Sequence, residues 1–514
     1  MGWLHWLTGL DDRVVDYPFA PTDVARLHDL TALPHERRVD GQTARDMLLG
    51  EYAARLGEGS SILGRQVLHH RLHGGAPARP ERLRALLAAP ALLARLGELF
   101  RPLRGADVEI AAHLFGPPPG ATPGWVRWLW LLPVAWLLGV VATVFLPLGW
   151  VAAVALTLAL VAVQTAWHER AQEWDRALLP LRAMLDAHHA LGTLPEVDAL
   201  LAPFRPGAAA AGTLRRRFAL ALGDRVPGQR EYRDWLLQAN VRRYFATRAT
   251  LAAHLDQLRA SFHLVAALEA DCALARHLEG ATSFCWAGQT PDRPLALTAM
   301  VHPLLAQPAP LDFTLDGERG AFVSGQNGVG KSTLLRTIGI NVVAARAFGF
   351  CYAATAQVPP LAVHASMQSE DAMDSGESLY MAELRRAREL LALARQGPAL
   401  FVIDEIFRGT NHLESVSAAT AVLHALAQAH VVIVSSHNLE LAPLLRDRLA
   451  PFCVEAAGGT LRVRPGVLEE TNGIRLLADS GFDTAIERNA GTVLAWLGKH
   501  ARGEEAGPPP RLAA

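Results

Sequence analysis

The stretch GQNGVGKST, residues 325–333, decides the fold of the second half of the chain. It satisfies the pattern G-x-x-x-x-G-K-[ST], in which backbone N–H groups and a helix N-terminus close around phosphate groups. The apolar segment AFVS precedes the loop. The segment STLLRTIGINVVAARA, which has helical periodicity, begins at the last two residues of the loop. This order of strand, loop and helix predicts a P-loop nucleotide site.

The loop supplies most of the predicted nucleotide contacts. We expect Lys331 to reach the β- and γ-phosphates and Ser332 to ligate Mg²⁺. The other predicted contacts within the loop are Gly325, Asn327, Gly328, Gly330 and Thr333. ATP and Mg²⁺ are therefore the predicted cofactors.

Two later apolar segments end in polar residues that fit the same site. ALFVIDE, residues 399–405, places Asp404 to hold Mg²⁺ and Glu405 to polarise an attacking water molecule. VVIVSSHN, residues 431–438, contains His437 near its end, and we expect the His437 side chain to sense the γ-phosphate. Short apolar runs rich in β-branched residues are typical of buried parallel strands, so we predict an α/β domain. The predicted activity is ATP hydrolysis, with Glu405, His437 and Lys331 as catalytic residues.

The first half of the chain contains a long uncharged run. Residues 128–167 include no Asp, Glu, Lys, Arg or His. A hydrocarbon core about 30 Å thick needs about 20 apolar helical residues, and residues 125–145 and 149–167 supply two such segments. We therefore predict a transmembrane helical hairpin over 125–167 that contacts membrane lipid. A buried hairpin in a soluble core is the alternative.

Arginines flank the run on both sides, at Arg101, Arg104, Arg127, Arg170 and Arg176. By the positive-inside rule, both ends of the hairpin lie in the cytoplasm. The predicted location is the inner (cytoplasmic) membrane, with two spans and the ATPase domain in the cytoplasm.

The rest of the chain divides by composition. The formal net charge of −1 gives no global basic footprint for nucleic acid, and the four cysteines have no CxxC spacing. Within the helical regions, FRPGAAAAG at 204–212 is predicted to be a loop. The predicted segments are a helical core over 1–115, a Pro/Gly linker over 116–124, the hairpin, a second helical part over 168–290, the α/β domain over 291–500 and a disordered tail over 501–514.

Several motifs resemble those of the MutS family of ATPases, which is part of the wider ABC-type class. DEIFRGTN, residues 404–411, is similar to the family's DEIGRGT block, with Phe407 in place of a glycine. DSGESLYMAEL, residues 374–384, resembles its SGxSTFxxE signature, with matching positions at Ser375, Gly376, Ser378 and Glu383. VHPLL at 301–305 and the segment 472–490 resemble further family elements, and the helical segments upstream resemble its core and levers.

The resemblance implies an ABC-type P-loop ATPase domain preceded by an all-α core and lever region, here with the two-helix hairpin inserted. In this family the signature segment completes the nucleotide site of the partner subunit. A homodimer is therefore implied, with Ser375, Gly376 and Ser378 as nucleotide contacts across the dimer. The chain contains no Phe-x-Glu tripeptide, and about thirty residues precede the helical core, so we do not expect mismatch recognition.

Three functions remain open from the sequence. The first is a membrane-anchored ATPase that moves its helical arms, and the second is a DNA clamp held at the membrane. The third is a nucleotide-gated scaffold that recruits a protein partner, which the sequence does not identify. DSGES differs from the LSGGQ signature of ABC transporters and argues against a transporter subunit. Candidate DNA contacts are Arg215, Arg216, Arg217, Arg242, Arg243 and Tyr244.

Overall fold

The computed structural model describes residues 17–33, 39–195, 199–219, 229–288, 295–315, 320–367, 378–457, 460–469, 472–474, 476–477, 480–501 and 510. The chain divides into two compact units. The first comprises Met1–Glu36 and Ala53–Ala281, and the second comprises Arg37–Tyr52 and Thr282–Ala514. Part of the predicted helical core, residues 37–52, therefore belongs to the second unit.

The region up to residue 281 is helical in its described part. Helix starts carry local signals: Pro80 and Pro90 open two helices, and Ser61 Oγ caps a third by accepting the N–H of Leu63 at 3.2 Å. The helices are α1 (Pro21–Thr31), α2 (Gly41–Asp46), α3 (Leu49–Leu56), α4 (Ile62–Leu72), α5 (Pro80–Leu87), α6 (Pro90–Arg104), α7 (Ala111–Phe115), α8 (Leu131–Phe145), α9 (Gly149–Thr193), α10 (Arg205–Arg217), α11 (Gln229–Leu237), α12 (Ala239–Ala253) and α13 (Leu255–Glu279).

Helix α13 forms much of the core of the first unit. Its carboxylates Glu269 and Asp271 are buried, and buried charges require partners. Ser61 donates to Glu269 from its backbone N–H at 2.8 Å and from its hydroxyl at 2.6 Å. Asp271 lies 2.7 Å from Nη1 of Arg71 and 3.2 Å from Nε of Arg82. These contacts join α13 to α4 and α5.

The uncharged run forms two helices, α8 and α9, joined by a short turn. The two helices pack against each other, and Trp136 Nε1 donates to Thr157 Oγ1 at 2.9 Å between them. Among the described residues, α9 is the one helix long and apolar enough to cross a membrane. The predicted first span over 125–145 differs from the structure, because Gly124–Trp128 is a 3₁₀ helix and α8 holds 15 residues.

Helix α9 contains the predicted second span, 149–167, and continues to Thr193 through Pro180. One prediction about the helical region is wrong. The expected loop at 204–212 is mostly helix α10. Pro206 lies in its first turn, where a missing N–H costs nothing. Gly207 and Gly212 lie so close to His188 and His189 that a Cβ on either would approach the rings to 2.8 Å. The glycines allow close helix packing there.

The second unit is built on a six-stranded sheet in the order β11-β10-β4-β9-β8-β7. Its strands are parallel except β11, which pairs antiparallel with β10. A three-stranded antiparallel sheet has the order β3-β2-β6, and β1 pairs with β5. The strands are β1 (Cys285–Trp286), β2 (Ala296–Met300), β3 (Leu311–Thr314), β4 (Gly320–Gly325), β5 (Phe350–Cys351), β6 (Thr355–Gln357), β7 (Ala362–Ser366), β8 (Ala399–Asp404), β9 (Val431–Ser435), β10 (Leu449–Ala457) and β11 (Thr460–Pro465).

Helices cover this sheet, as the parallel arrangement requires. Every residue of β4 and β8 is buried, which explains their continuous apolar runs. The helices are α14 (Lys331–Phe348), α15 (Leu379–Leu393), α16 (His412–Leu426), α17 (Leu441–Leu444) and α18 (Thr484–Ala501). The predicted α/β domain is present. Most of the predicted tail, 501–514, lies outside the described residues.

Helix α2 covers the edge strand of the main sheet. The N–H of Ala365 in β7 donates to Thr43 Oγ1 at 2.8 Å, and the N–H of Met367 donates to Asp46 Oδ2 at 2.9 Å. Arg386 Nη2, from α15, also donates to Thr43 Oγ1 at 3.2 Å. An edge strand presents unpaired backbone groups, and here side chains from far earlier in the chain satisfy them.

Candidate functional site

The glycine loop begins at the carboxyl end of β4 and leads into α14. Gly328 and Gly330 have φ of 75° and 102°, in the left-handed region that favours glycine. A Cβ at Gly325 would lie 2.8 Å from the carbonyl oxygen of Val454 on the neighbouring strand β10. The loop therefore requires its glycines, and it turns the N-terminus of α14 toward the site.

Lys331 is the first residue of α14 and is buried. Its Nζ donates to the carbonyl oxygens of Gly325 at 3.0 Å and Gln326 at 3.3 Å. Burial lowers the pKa of Lys331, and the carboxylates of Glu405 and Asp404 oppose that shift. Its charge is thus directed at the loop in which a phosphate would bind.

A contact that the sequence did not predict holds the loop from outside. The backbone N–H of Asn327 donates to Oδ1 of Asn472 at 3.1 Å. Asn472 is the first residue of the segment 472–490. The resemblance of this segment to a family element did not predict a role for the Asn472 side chain. The separation of 145 residues hides the contact from any local pattern.

The sheet brings Asp404 next to the loop. Residue pairing across three adjacent strands sets Asp404 of β8 opposite Ser435 of β9, and Ser435 opposite Val323 of β4. Ser435 Oγ donates to Asp404 Oδ1. Val323 lies two residues before Gly325, so the carboxylate and the loop share the carboxyl edge of the sheet. Carboxylate and hydroxyl oxygens suit Mg²⁺, and the residues that would hold it are Asp404 and Ser332.

Glu405 follows Asp404 in an unusual backbone conformation. Its φ is 63°, and its N–H donates to the carbonyl oxygen of Ser435 at 3.0 Å. Burial, followed by the charge of Asp404, raises the pKa of Glu405 to about 7. A carboxyl group with a pKa near neutrality is suited to accept a proton from water.

His437 lies beside Glu405, with Nε2 at 3.4 Å from Oε1 of the carboxyl group. Burial, followed by the charge of Lys331, lowers the pKa of His437. The imidazole is more than half exposed, whereas the Glu405 side chain is buried.

The structure therefore brings together Gly325, Lys331, Asp404, Glu405 and His437. Ser332 and Thr333 occupy the first turn of α14 next to them.

The signature segment is described only from Ser378 onward, because Ser375 and Gly376 lie outside the described residues. Ser378 caps α15, its Oγ accepting the N–H of Met381 at 3.4 Å. Glu383 accepts the N–H of Gly409 at 3.2 Å and lies 3.4 Å from Nε of Arg408. These contacts tie the signature helix to the loop after Asp404 and Glu405, a connection that the two separate motifs did not predict.

Four of the six candidate DNA contacts have a partner within the first unit or are buried there. Arg215 Nη1 lies 2.7 Å from Oδ1 of Asp186, and Arg243 is paired with Asp175. Tyr244 is buried. Arg217 Nη1 lies 3.3 Å from Nε2 of His254. The side chains of Arg216, Arg217 and Arg242 are exposed.

Comparisons with known proteins agree with the geometry of the site. Residues 321–486 match the family model described as MutS domain V. The chain is 26% identical over 307 residues to the DNA mismatch repair protein MutS of Thermus aquaticus, covering 57% of this chain and 37% of that protein. It is 29% identical over 282 residues to that of Synechococcus elongatus, covering 50% and 31%. For that of Synechococcus sp. strain CC9902, identity is 30% over 259 residues, covering 47% and 28%. The alignments thus span about a third of each of these relatives.

Proposed function

We propose, from the premise that this chain is a MutS-related protein, that its second unit binds ATP with Mg²⁺ and hydrolyses the ATP. One observation carries this proposal. The loop around Lys331, the Asp404 and Glu405 carboxyl groups, and His437 follow three adjacent parallel strands and meet at one edge of the sheet. P-loop ATPases need this combination of a phosphate cradle, a metal-holding carboxylate and a base.

Each side chain has a distinct task in the proposed reaction. Lys331 and the loop N–H groups would neutralise phosphate charge. Ser332 and Asp404 would hold Mg²⁺, which would supply positive charge next to the phosphate oxygens. Glu405 takes a proton from the water molecule that attacks the γ-phosphorus, while the bond to the ADP oxygen breaks. His437, with Nε2 at 3.4 Å from Oε1 of Glu405, would contact the γ-phosphate.

Two substitutions test this assignment. Glu405→Gln should abolish turnover and retain ATP binding, because the amide keeps the shape of the side chain without its basicity. Lys331→Met should weaken ATP binding itself. Glu98→Gln, at an exposed carboxylate of the first unit, is the matched control and should leave both unchanged. Undiminished hydrolysis in Glu405→Gln would refute the role of this residue.

We further propose a homodimer in which Ser375, Gly376 and Ser378 complete the nucleotide site of the partner subunit. The contacts of Glu383 with Arg408 and Gly409 support this, because they link the signature helix of a subunit to its own catalytic loop. Mixing Lys331→Met chains with Gly376→Asp chains tests it. Each homodimer should be inactive, whereas the mixed dimer holds one intact site and should recover part of the activity. No recovery, with mixed dimers demonstrated, would contradict composite sites.

We propose that α8 and α9 anchor the protein in the inner (cytoplasmic) membrane, with both ends in the cytoplasm. Large apolar side chains on both helices and on the turn between them are exposed, which is unfavourable in water: Leu137, Leu138, Val144, Phe145, Leu148, Trp150, Val154 and Leu158. Helix α8 is short, but α8 and the 3₁₀ helix before it together extend about 32 Å, which matches the thickness of the hydrocarbon core.

Membrane fractionation tests the anchor. The full chain should sediment with membranes and resist alkaline extraction, and deletion of residues 125–167 should release it. A full chain that remains in the supernatant would refute the anchor.

DNA is the proposed ligand of the helical unit, through Arg216, Arg217 and Arg242. The exposure of these three side chains supports this choice over Arg215, Arg243 and Tyr244, which are buried or half-buried. ATPase activity should rise with duplex or branched DNA at low salt and lose the stimulation at higher salt, because phosphate contacts are salt-dependent. Activity indifferent to DNA at both salt concentrations would favour the alternative function, a nucleotide-gated scaffold at the membrane.

A further inference from the structure

Helix α11 exposes its large apolar side chains and buries one of its acidic side chains. Asp234, in the second half of the helix, is 8% exposed, whereas Tyr232 is 70% exposed. Trp235, Leu236 and Leu237 are exposed as well. A surface helix of a protein in water buries its apolar side and exposes its charges. These exposed apolar side chains indicate that the outer side of α11 faces an apolar environment.

Helix α11 lies beside the part of α9 where the uncharged run ends. Gln238, directly after α11, donates from Nε2 to the carbonyl oxygen of Leu160 at 3.2 Å. The ring of Trp235 lies 6.3 Å from that of His168, measured between centroids. Leu160 belongs to the run, and His168 is the first titratable residue after it. The helix therefore borders the level at which α9 would leave hydrocarbon for water.

Aromatic and basic side chains mark the same level. The rings of Trp125 and Trp167 lie 6.0 Å apart, and the Arg170 guanidinium lies 5.2 Å from the ring of Trp167. Tryptophan is enriched at the boundary between hydrocarbon and headgroups, where arginine reaches anionic headgroups. Trp235 adds a further tryptophan to this level from a different helix.

The inner side of α11 faces a cavity of about 340 Å³ whose lining residues are mostly polar. From α11, Glu231, Asp234 and Trp235 line it, and His168 and Asp175 of α9 lie opposite. Asp234 is buried on this side, whereas Glu231 is also exposed. The apolar side chains that α11 exposes are Tyr232, Leu236, Leu237 and part of Trp235.

We propose that α11 lies in the interface of a phospholipid bilayer, with Tyr232, Trp235, Leu236 and Leu237 at the boundary between headgroups and acyl chains. It is then a third membrane contact, besides α8 and α9. This inference rests on the proposed membrane anchor, because α11 reaches the interface only if α9 enters the bilayer.

Site-directed spin labelling of the full chain in vesicles of phosphatidylcholine and phosphatidylglycerol tests the proposal. A nitroxide at Leu236→Cys should collide more with oxygen, which concentrates in lipid, than with a water-soluble nickel chelate. The ratio should exceed several-fold that of Thr213→Cys, an exposed position on α10. The parent chain, labelled in parallel, gives the background from Cys285, since Cys272, Cys351 and Cys453 are buried.

A label at Leu138→Cys, on α8, separates this inference from the anchor on which it rests. Lipid exposure at both positions, deeper at Leu138, supports the proposal. Lipid exposure at Leu138 with water exposure at Leu236 overturns the inference and leaves the anchor standing. Water exposure at Leu138 overturns both. A label at Leu236 shielded from both collision partners indicates a protein contact and also overturns the inference.

Discussion

Oε1 of Glu405 lies 3.4 Å from Nε2 of His437, and burial displaces the pKa of both groups toward their neutral forms. The Glu405 side chain is buried, and its neutral form avoids an unpaired charge there. Its pKa of about 7 also lets the carboxyl group change its protonation state near neutral pH. These properties support the proposed proton transfer.

Glu405→Gln should stabilise the second unit in a pH-dependent way. The pKa of Glu405 is raised from 4.5 to about 7, so the folded protein binds this proton more tightly than the unfolded chain. The cost of burying the carboxylate is absent below about 4.5 and fully present above about 7, where it reaches roughly 3 kcal/mol. We expect the thermal unfolding midpoint of the variant in detergent to exceed that of the parent at pH 8, by a margin that shrinks toward pH 5. A margin independent of pH would contradict the shift.

Replacements at Phe407 should reverse the usual order of alanine and glycine. Phe407 is buried with φ of 56°, and its ring lies 6.1 Å from that of Tyr380. Both Phe407→Ala and Phe407→Gly lose this packing, but only glycine releases the left-handed strain. We expect Phe407→Gly to be the more stable of the two by about 1 kcal/mol. The control is Ala209→Gly, on the exposed side of α10, which should cost about 1 kcal/mol. Equal stability of the two Phe407 variants would exclude backbone strain there.

Thr43→Val should destabilise the second unit, and Thr43→Ser should not. Thr43 Oγ1 accepts the N–H of Ala365 at 2.8 Å and is buried. Valine keeps the shape of the side chain but leaves this N–H unsatisfied, at a cost of about 1–3 kcal/mol. Hydrogen exchange should accelerate at the Ala365 amide in Thr43→Val. Unchanged protection would show that the edge strand does not depend on this hydroxyl.

Asn472→Ala should weaken ATP binding several-fold without unfolding the site. Its side chain accepts the N–H of Asn327 at 3.1 Å and holds the loop in one conformation. Without this contact the loop is less ordered before ATP binds. Ordering it on binding costs free energy, which makes the binding free energy less favourable. Titration with a fluorescent ATP analogue measures the change, with Gln396→Ala, at an exposed position, as the control. An unchanged dissociation constant would make the contact incidental.

The parts of the site that could be predicted are those in which neighbouring residues carry the signal. The loop at 325–333 needs glycines at fixed spacing, and Asp404 ends a strand whose apolar run is continuous. The local structure of each motif can therefore be predicted from its own residues. Their approach to each other follows from the parallel sheet, whose carboxyl ends meet at one edge.

Contacts between distant segments gave no comparable signal. Thr43 and Ala365 are 322 residues apart, and Asn327 and Asn472 are 145 apart. Nothing near Thr43 marks residues 37–52 as part of the second unit. Glycines misled the prediction at 204–212 for another reason, because a glycine that breaks a helix and one that lets two helices touch look identical in sequence.

Helix α9 is continuous from Gly149 in the uncharged run to Thr193 in the packed helical unit. At a rise of about 1.5 Å per residue it is about 67 Å long, so a tilt of about 10° displaces one end by about 12 Å relative to the other. If the first half of α9 lies in a bilayer, the same helix connects the lipid to the protein core without an intervening loop. The thickness and tension of the membrane would then act as a mechanical load on the helical unit, and the bilayer itself would become an input to the protein.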